Sequence, residues 1–331
     1  MHRFSNVAAW LLVLQVVFFS PAAHAIVGGD PNGVPADSPR SRVDPNVPSS
    51  PWAGVGSISV GDRDYTATLI DPRHVLTAAH VVNGARADSV TFTLNADGDA
   101  SQRIAAQAIY VNPDYHGFTP ASDGIVHADL AIVELSAPAP ANVPTYALYT
   151  QPIKPGTLLT LVGYGAGGDG VHGVAEGSAS SHWKRVGSNM ADVLFPGLNG
   201  KKKLEAYLFD FDGPDASSSF VGGTTLGNAV EATLGVGDSG SPAFVLDDGV
   251  WRLAGVNTFV TGYRNGPARP GVFGTGGGGM LVSGYADWIS ATVGASAIVS
   301  PVPEPMSAAY WVGGLLMMVW VMKTRRDKAG A

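Results

Sequence analysis

The chain has 331 residues, of which 45% are hydrophobic and 14% are charged, and its formal net charge is −7 at pH 7. A negative net charge argues against a nucleic-acid-binding surface, and we expect the basic run 201–203 to be a solvated loop. The absence of cysteine excludes disulfide bonds and cysteine-ligated metal sites. Without its two terminal segments, the chain is still long enough for two packed β-subdomains.

Residues 1–25 have the pattern of an export signal. A basic start at residues 2–3 is followed by an apolar run over residues 7–19 and by the small-residue cleavage site Ala23-His24-Ala25. We therefore expect signal peptidase to remove this segment, so that Ile26 becomes the new N-terminus. An uncleaved N-terminal anchor is the alternative.

Residues 26–294 are predicted to form one β-rich domain. Short Val/Thr/Ile runs alternate with Gly/Pro/Asn/Asp clusters, and residues 54–60, 89–94 and 158–163 show the period of two that is typical of strands. Almost no amphipathic helix is predicted before residue 283, and no internal repeat is found. The sequence therefore indicates an all-β protein.

Three short strings supply a base, an orienting carboxylate and a nucleophile. Thr77-Ala78-Ala79-His80 follows an apolar strand, Asp129 precedes the apolar run 130–135, and Ser239 lies in Gly237-Asp238-Ser239-Gly240. A serine hydroxyl becomes an effective nucleophile when an imidazole takes its proton and a buried carboxylate holds that imidazole. We therefore predict that His80, Asp129 and Ser239 are catalytic.

The glycines beside Ser239 permit a tight turn that points two backbone N–H groups at one place. We predict that the N–H groups of Gly237 and Ser239 form an oxyanion hole. Asp123 is the nearest rival of Asp129, but its small neighbours indicate a turn.

Further strings accompany these three along the chain: Ile26-Val27-Gly28-Gly29, Asn112-Pro113-Asp114-Tyr115, His127-Ala128-Asp129-Leu130-Ala131, Gly163-Tyr164-Gly165, Pro270-Gly271-Val272 and Tyr285-Ala286-Asp287-Trp288-Ile289. In this order they resemble the chymotrypsin-like (trypsin-fold) serine proteases, from Ile26 to about Val293. The resemblance implies two six-stranded antiparallel Greek-key β-barrels, with the active site between them and a short C-terminal helix. It also implies a monomer that acts on protein or peptide substrates without a cofactor.

The resemblance further implies an activation step. The freed α-amine of Ile26 would pair with Asp238 and thereby order the oxyanion hole. Arg40-Ser41-Arg42-Val43 offers a second processing site, which would make Val43 the inserting residue instead.

A specificity pocket is also implied by the resemblance. Thr233 would form its floor, and Val260 and Gly271 would line its walls. Because the floor is uncharged and Val260 narrows the pocket, we expect cleavage after a small or medium apolar residue. Glu231 is close in sequence but two residues out of register with the floor.

No metal site is predicted. Asp210, Asp212 and Asp215 could bind Ca²⁺ through oxygen, but no glutamate closes a twelve-residue loop, and an acidic surface loop is the better interpretation. The remaining histidines lack ligand spacing and are expected at the surface or in loops; they are His74, His116, His127, His172 and His182. On an extended chain His127 would point the same way as Asp129, and its role is left open.

The C-terminal segment has three parts. A linker over residues 295–305 ends in Pro303-Glu304-Pro305, residues 306–322 form an apolar run near the lower limit for a transmembrane helix, and residues 323–331 form a basic tail expected in the cytoplasm. Together they resemble the PEP-CTERM sorting signal of Gram-negative bacteria, whose tail an exosortase-like sorting enzyme would remove. We therefore expect export across the inner membrane, transient anchoring, and delivery to the cell surface or extracellular matrix. A plain C-terminal anchor is the alternative.

The sequence thus predicts a secreted serine endopeptidase. α/β-Hydrolase esterases need Gly-x-Ser-x-Gly and place histidine last, whereas this chain has Ser241 and the order His, Asp, Ser. Two non-enzymatic alternatives are a catalytically idle, surface-displayed binding protein on a protease scaffold and a sorted matrix or adhesion protein. Retention of all three predicted catalytic residues favours the enzyme.

Overall fold

The computed structural model describes residues 26–294, apart from residues 39, 96–100, 176–181, 199, 215–218, 224, 264–265 and 268. Within this part of the chain strands dominate and helices are short, which confirms the predicted all-β fold. The expected export signal, residues 1–25, and the C-terminal segment, residues 295–331, lie outside the described residues. None of the described helices is long and apolar enough to cross a membrane.

The first half of the domain is a closed six-stranded barrel. Its strands are β1 (Val55–Val60), β2 (Arg63–Asp71), β3 (His74–Thr77), β4 (Val90–Leu94), β5 (Gln102–Val111) and β6 (Ala131–Leu135). They pair antiparallel in the order β1-β2-β3-β6-β5-β4. Since successive side chains of a strand point to opposite faces, one apolar set fills the barrel, including the fully buried Ile58, Ala67, Leu69, Val75, Phe92 and Val133.

The second half contains nine described strands: β7 (Thr157–Gly163), β8 (Gly168–Asp169), β9 (Gly173–Val174), β10 (Arg185–Ala191), β11 (Val193–Pro196), β12 (Leu204–Asp210), β13 (Pro242–Asp247), β14 (Val250–Gly262) and β15 (Thr275–Leu281). β8 and β9 form a small ribbon, and the other seven form one sheet in the order β10-β7-β13-β14-β15-β12-β11.

This sheet differs in strand count from the predicted second six-stranded barrel, and the reason is a bend. β10 and β11 are separated only by Asp192, whose carboxylate accepts a hydrogen bond from the Asp210 N–H at 3.1 Å. The two outermost strands of the sheet, β10 and β11, therefore belong to one bent stretch of chain. If they are counted as one, six strands line the second core. That core includes Leu159, Leu161, Phe209, Ala232 and Leu281.

The segment before β1 runs along the second half of the domain. Ile26 is fully buried in the second core, Val27 forms a β-bridge with Thr233, and Val43 forms one with Arg185. The Val27 N–H donates to the Thr233 carbonyl at 2.9 Å and the reverse hydrogen bond has the same length. Residues 26–52 are therefore an integral part of the fold.

Two short α-helices complete the described domain. α1 (Ala79–Val82) follows β3 directly, and α2 (Val282–Val293) follows β15. α2 is the short C-terminal helix predicted above. It ends at Gly294, whose φ of +83° is the left-handed conformation that glycine adopts readily.

Candidate active site

The three residues predicted to be catalytic form one hydrogen-bonded row. His80 Nε2 lies 2.8 Å from Ser239 Oγ, and His80 Nδ1 lies 2.6 Å from Asp129 Oδ2. The backbone N–H of His80 also donates to Asp129 Oδ1 at 2.8 Å. The Asp129 side chain is only 3% exposed, whereas His80 and Ser239 are half-buried and reach solvent. This arrangement can pass the Ser239 proton to an imidazole whose tautomer is fixed by a buried carboxylate.

Strand register brings His80 and Asp129 together. β3 pairs antiparallel with β6, and Thr77 at the end of β3 stands opposite Ala131 at the start of β6. His80 follows Thr77 by three residues and Asp129 precedes Ala131 by two, so both side chains leave the barrel at the same end. Local sequence therefore specifies this half of the row.

Ser239 comes from a glycine-bordered turn that touches the first barrel. Gly237 and Gly240 have φ values of +93° and +83°. The Ser239 carbonyl accepts a hydrogen bond from the Thr66 N–H of β2 at 3.1 Å. A Cβ at Gly240 would lie 2.0 Å from Thr77 Oγ1 and 2.2 Å from the Thr66 carbonyl oxygen, so this position requires glycine.

The predicted oxyanion hole has two available donors. Across the described residues, the N–H groups of Gly237 and Ser239 donate to no protein acceptor. The turn between them is fixed because the Asp238 N–H donates to the Gly235 carbonyl at 3.2 Å and the Ser241 N–H donates to the Asp238 carbonyl at 2.9 Å. These donors could stabilise negative charge that develops near Ser239.

Asp238 is buried behind this turn. Its carboxylate accepts hydrogen bonds from the N–H groups of Gly165, at 3.1 Å, and Gly235, at 2.9 Å. Burial raises its pKa well above the ordinary value, while those N–H groups and the charge of Arg185 act in the opposite direction. A Cβ at Gly163 would lie 2.0 Å from Asp238 Oδ1, so the predicted Gly163-Tyr164-Gly165 string leaves room for the carboxylate.

Arg185 was not predicted as a site residue, and it is the cation on this side of Asp238. It stands opposite Gly163 in the β7–β10 ladder, so its side chain leaves the sheet on the face where the Asp238 carboxylate fills the space above Gly163. Arg185 is 1% exposed. Residues 185, 187, 189 and 191 of β10 are all buried, so Arg185 belongs to the face of the strand that points into the protein. A charged residue in a position whose strand neighbours at i+2 and i+4 are buried is the sequence signal that could have identified it.

The predicted pocket residues are only partly brought together. Thr233 is 1% exposed, and its hydroxyl has no hydrogen-bond partner among the described residues. Val260 lies on β14 opposite Gly277, not beside Gly271. Gly271 precedes β15, and a Cβ there would lie 3.2 Å from side-chain atoms of Val27 and Val174. The cross-strand neighbour of Val260 is therefore Gly277, in the glycine-rich stretch 276–279 of β15.

The predicted acidic surface loop is wrong for Asp210 and Asp212, which are 2% and 4% exposed. Asp210 Oδ2 accepts the N–H groups of Phe220 and Val221, and the Glu231 carboxylate accepts those of Asp212 and Leu226. The Asp210 and Glu231 carboxylates are therefore buried because they satisfy the backbone of neighbouring loops. Asp215 lies outside the described residues.

Burial also changes the acidity of this group of carboxyls. It raises the pKa of Glu231 to about 7 and that of Asp212 to about 6, with the charge of Asp210 adding to the shift of Asp212. It raises the pKa of Asp192, beside them, to about 8. No set of three or more potential metal ligands within the described part of the chain could hold a metal ion.

Sequence reasoning left the role of His127 open and missed one contact of His80. His127 lies in a loop, as expected, and is 8% exposed. The Phe118 ring lies over the His80 imidazole, with 5.3 Å between ring centroids, and is 49% exposed. Phe118 stands in a segment without periodicity, so the sequence carried no signal for this contact.

Comparison with known proteins agrees with this fold and geometry. The family described as the trypsin-like peptidase domain matches residues 65–256, which include His80, Asp129 and Ser239. A brachyurin of Leptuca pugilator is 27% identical over 136 residues, which are 39% of this chain and 57% of the relative. The chain thus spans somewhat more than half the length of that relative. Since the family match extends over more than half of the 331 residues, the chain belongs to the trypsin-like peptidase family.

Proposed function

We propose that this protein is a secreted serine endopeptidase that hydrolyses peptide bonds through an acyl-enzyme. The observation that carries the proposal is the row in which His80 contacts Ser239 at 2.8 Å and Asp129 at 2.6 Å. Both distances are within the range that proton transfer requires. Family membership supports protein or peptide substrates.

The reaction follows from the row. Ser239 Oγ attacks the scissile carbonyl carbon while His80 Nε2 takes the hydroxyl proton, and Asp129 stabilises the resulting imidazolium. The Gly237 and Ser239 N–H groups stabilise the negative oxygen of the tetrahedral intermediate. His80 then gives its proton to the leaving amine, which departs and leaves an ester at Ser239. Water, deprotonated by His80, hydrolyses that ester and restores the serine.

We assign activation to the N-terminus at Ile26, paired with Asp238. Ile26 is fully buried, and Val27 pairs with Thr233, five residues before Asp238. The alternative at Val43 has less support, because Val43 is 36% exposed. Arg42, which would have to enter a processing enzyme, is 7% exposed and ion-paired to Asp37.

Cleavage after a small or medium apolar residue remains the proposed specificity. Thr233 offers no charge, and Val260 projects from the strand beside the glycines of β15. Leu234 Cδ1 would lie 2.9 Å from a Cβ at Gly277, so an apolar side chain already occupies part of this region. A long cationic side chain would find neither space nor a counter-charge at the floor.

The proposal also includes export by signal peptidase and sorting through the Pro-Glu-Pro tail. Its support is the sequence pattern of residues 1–25 and 295–331. Mass spectrometry of the protein recovered from a Gram-negative host with an exosortase would locate both termini. We expect a start at Ile26 and loss of the segment after residue 305.

Fluorophosphonate labelling tests the catalytic assignment. The purified protein should be labelled on Ser239, and Ser239→Ala should abolish labelling and peptide hydrolysis. Ser241→Ala, two residues further along the same turn, is the matched control and should retain labelling. A folded wild-type protein that is not labelled would instead support the idle binding protein.

A further inference from the structure

The buried His127 lies between two carboxylates. Its side chain is 5% exposed, its Nε2 is 2.9 Å from Asp123 Oδ2, and its Nδ1 is 3.4 Å from Glu205 Oε2. The Nε2 contact with Asp123 is a hydrogen bond, whereas Nδ1 approaches Glu205 without hydrogen-bond geometry. The ring therefore links the loop of the first barrel that contains Asp123 to β12, which contains Glu205.

The same Glu205 oxygen leads on to α2. The Tyr285 hydroxyl lies 3.3 Å from Glu205 Oε2, to which it donates, and it accepts a hydrogen bond from the Ala128 N–H at 2.9 Å. Tyr285 and Glu205 are 6% and 4% exposed. Burial, together with the Glu205 charge, raises the pKa of Tyr285, so its hydroxyl keeps the proton that it donates.

Ala128 is the point where this network meets the candidate active site. Its φ is +57°, a left-handed conformation that residues other than glycine adopt only when their surroundings hold them there. The next residue is Asp129, whose two oxygens accept the backbone N–H and Nδ1 of His80. The Tyr285 hydroxyl therefore holds the peptide between His127 and Ala128, one peptide before Asp129.

We propose that Asp123, His127, Glu205 and Tyr285 form a clamp, with His127 and Tyr285 as positioning residues for Asp129. The clamp ties the Asp129 loop of the first barrel to β12 and α2 of the second half. It rests on the proposed function, since its effect on turnover presupposes that Asp129 serves catalysis. Lys201, whose Nζ is 3.2 Å from Glu205 Oε1, supplies a further cation to the clamp.

Two variants of the purified, processed protein test the clamp. Tyr285→Phe removes one oxygen and leaves the Ala128 N–H without its acceptor, and His127→Gln removes the ring between the carboxylates. We expect kcat to fall about tenfold in each, with KM changed less than about twofold, because a misplaced catalytic group slows chemistry more than binding. The downfield proton NMR signal of the His80–Asp129 hydrogen bond should shift or broaden in both.

His74→Gln is the matched control. His74 Nδ1 is 2.7 Å from Asp71 Oδ2, and within the described part of the chain this pair makes no hydrogen bond or ion pair with Asp129. We expect its kcat and downfield signal to match those of the wild type.

The outcomes separate the clamp from the proposed function. If folded Tyr285→Phe keeps the wild-type kcat and NMR signal, the clamp is overturned even if the variant is less stable. Because Tyr285→Phe is nearly isosteric, it decides the matter if His127→Gln does not fold. A wild-type protein that is not labelled by fluorophosphonate would defeat the proposed function, whereas the NMR comparison would still judge the clamp.

Discussion

The two halves of the domain hold their site residues in different ways. In the first barrel, His80 and Asp129 leave the paired ends of two apolar strands, and the ladder itself fixes their spacing. In the second half, Ser239 and its neighbours stand on a turn with the buried ionisable residues Asp238 and Arg185 behind it. The comparison teaches that the proposed base and its carboxylate depend on strand register, whereas the proposed nucleophile depends on glycine conformation and charge burial.

Gly240→Ala should have the largest effect, because Gly240 is where the two halves touch. The new Cβ would meet Thr77 and Thr66 of the first barrel at about 2 Å, and the residue would keep a positive φ. We expect a loss of about 3–5 kcal/mol in the free energy of unfolding and at least about a hundredfold loss of activity. Denaturant unfolding and fluorophosphonate labelling would measure these effects.

Gly249→Ala is the control for this prediction. Gly249 has a φ of +78° but no heavy atom within 4 Å of the added Cβ, so only the backbone cost of about 1 kcal/mol is expected. Equal effects at the two glycines would show that the contact between the halves does not matter.

Arg185→Met should have the next largest effect, since it removes the buried side-chain cation beside the Asp238 carboxyl. We expect a loss of about 2–4 kcal/mol in stability and labelling of Ser239 that is slower by about tenfold. Lys184→Met removes the neighbouring buried cation, which pairs with Asp44 at 3.2 Å. It should cost similar stability but leave the labelling rate of the folded protein unchanged. If both variants slow labelling equally, the effect is one of stability and not of Asp238.

Asp212→Asn should change how stability depends on pH. The pKa of Asp212 is raised to about 6, so the folded protein binds a proton that the unfolded chain releases near pH 4. The free energy of unfolding therefore falls as pH rises from about 4 to 6, and the amide should remove roughly 1–2 kcal/mol of this fall. Urea unfolding at several pH values would show it.

Asp88→Asn gives the contrast in the first barrel. Its pKa is lowered by the Arg86 hydrogen bond, and the pair is fully exposed. Any change in the pH slope should have the opposite sign and be much smaller, because solvent screens the pair. A larger change in the pH dependence of stability at Asp88 than at Asp212 would contradict the conclusion that the buried carboxyls of the second half dominate this dependence.

Val260→Gly should have the smallest effect, confined to substrate preference. Removing the side chain opposite Gly277 should raise kcat/KM for large apolar residues over alanine by about tenfold at the position before the scissile bond. Profiling with a peptide library would measure the ratio. Leu246→Ala, which changes an exposed side chain on β13, should leave the ratio unchanged. An unchanged ratio in Val260→Gly would mean that the specificity pocket lies elsewhere.

The sequence predicted the first barrel and the row better than the second half. His80 and Asp129 flank strands with clear apolar runs, and Ser239 lies in a glycine-bordered string, so short motifs suffice. The cross-strand partner of Val260, Gly277, was not predicted, because the inserted segment before β15 blurs the register and glycine has no side chain to mark its position. Asp210 was expected in solvent because the backbone N–H groups of Phe220 and Val221, which satisfy it, leave no pattern in the sequence.

Thr66 of the first barrel has a consequence for the biogenesis of the protein. Its N–H holds the Ser239 carbonyl, and its hydroxyl accepts the Tyr164 N–H at 3.1 Å. The proposed nucleophile is therefore oriented only when chain segments 173 residues apart in sequence, Thr66 and Ser239, have come together. A polypeptide that has not yet folded would be chemically inert, which would protect its own unfolded stretches and the proteins around it from premature hydrolysis.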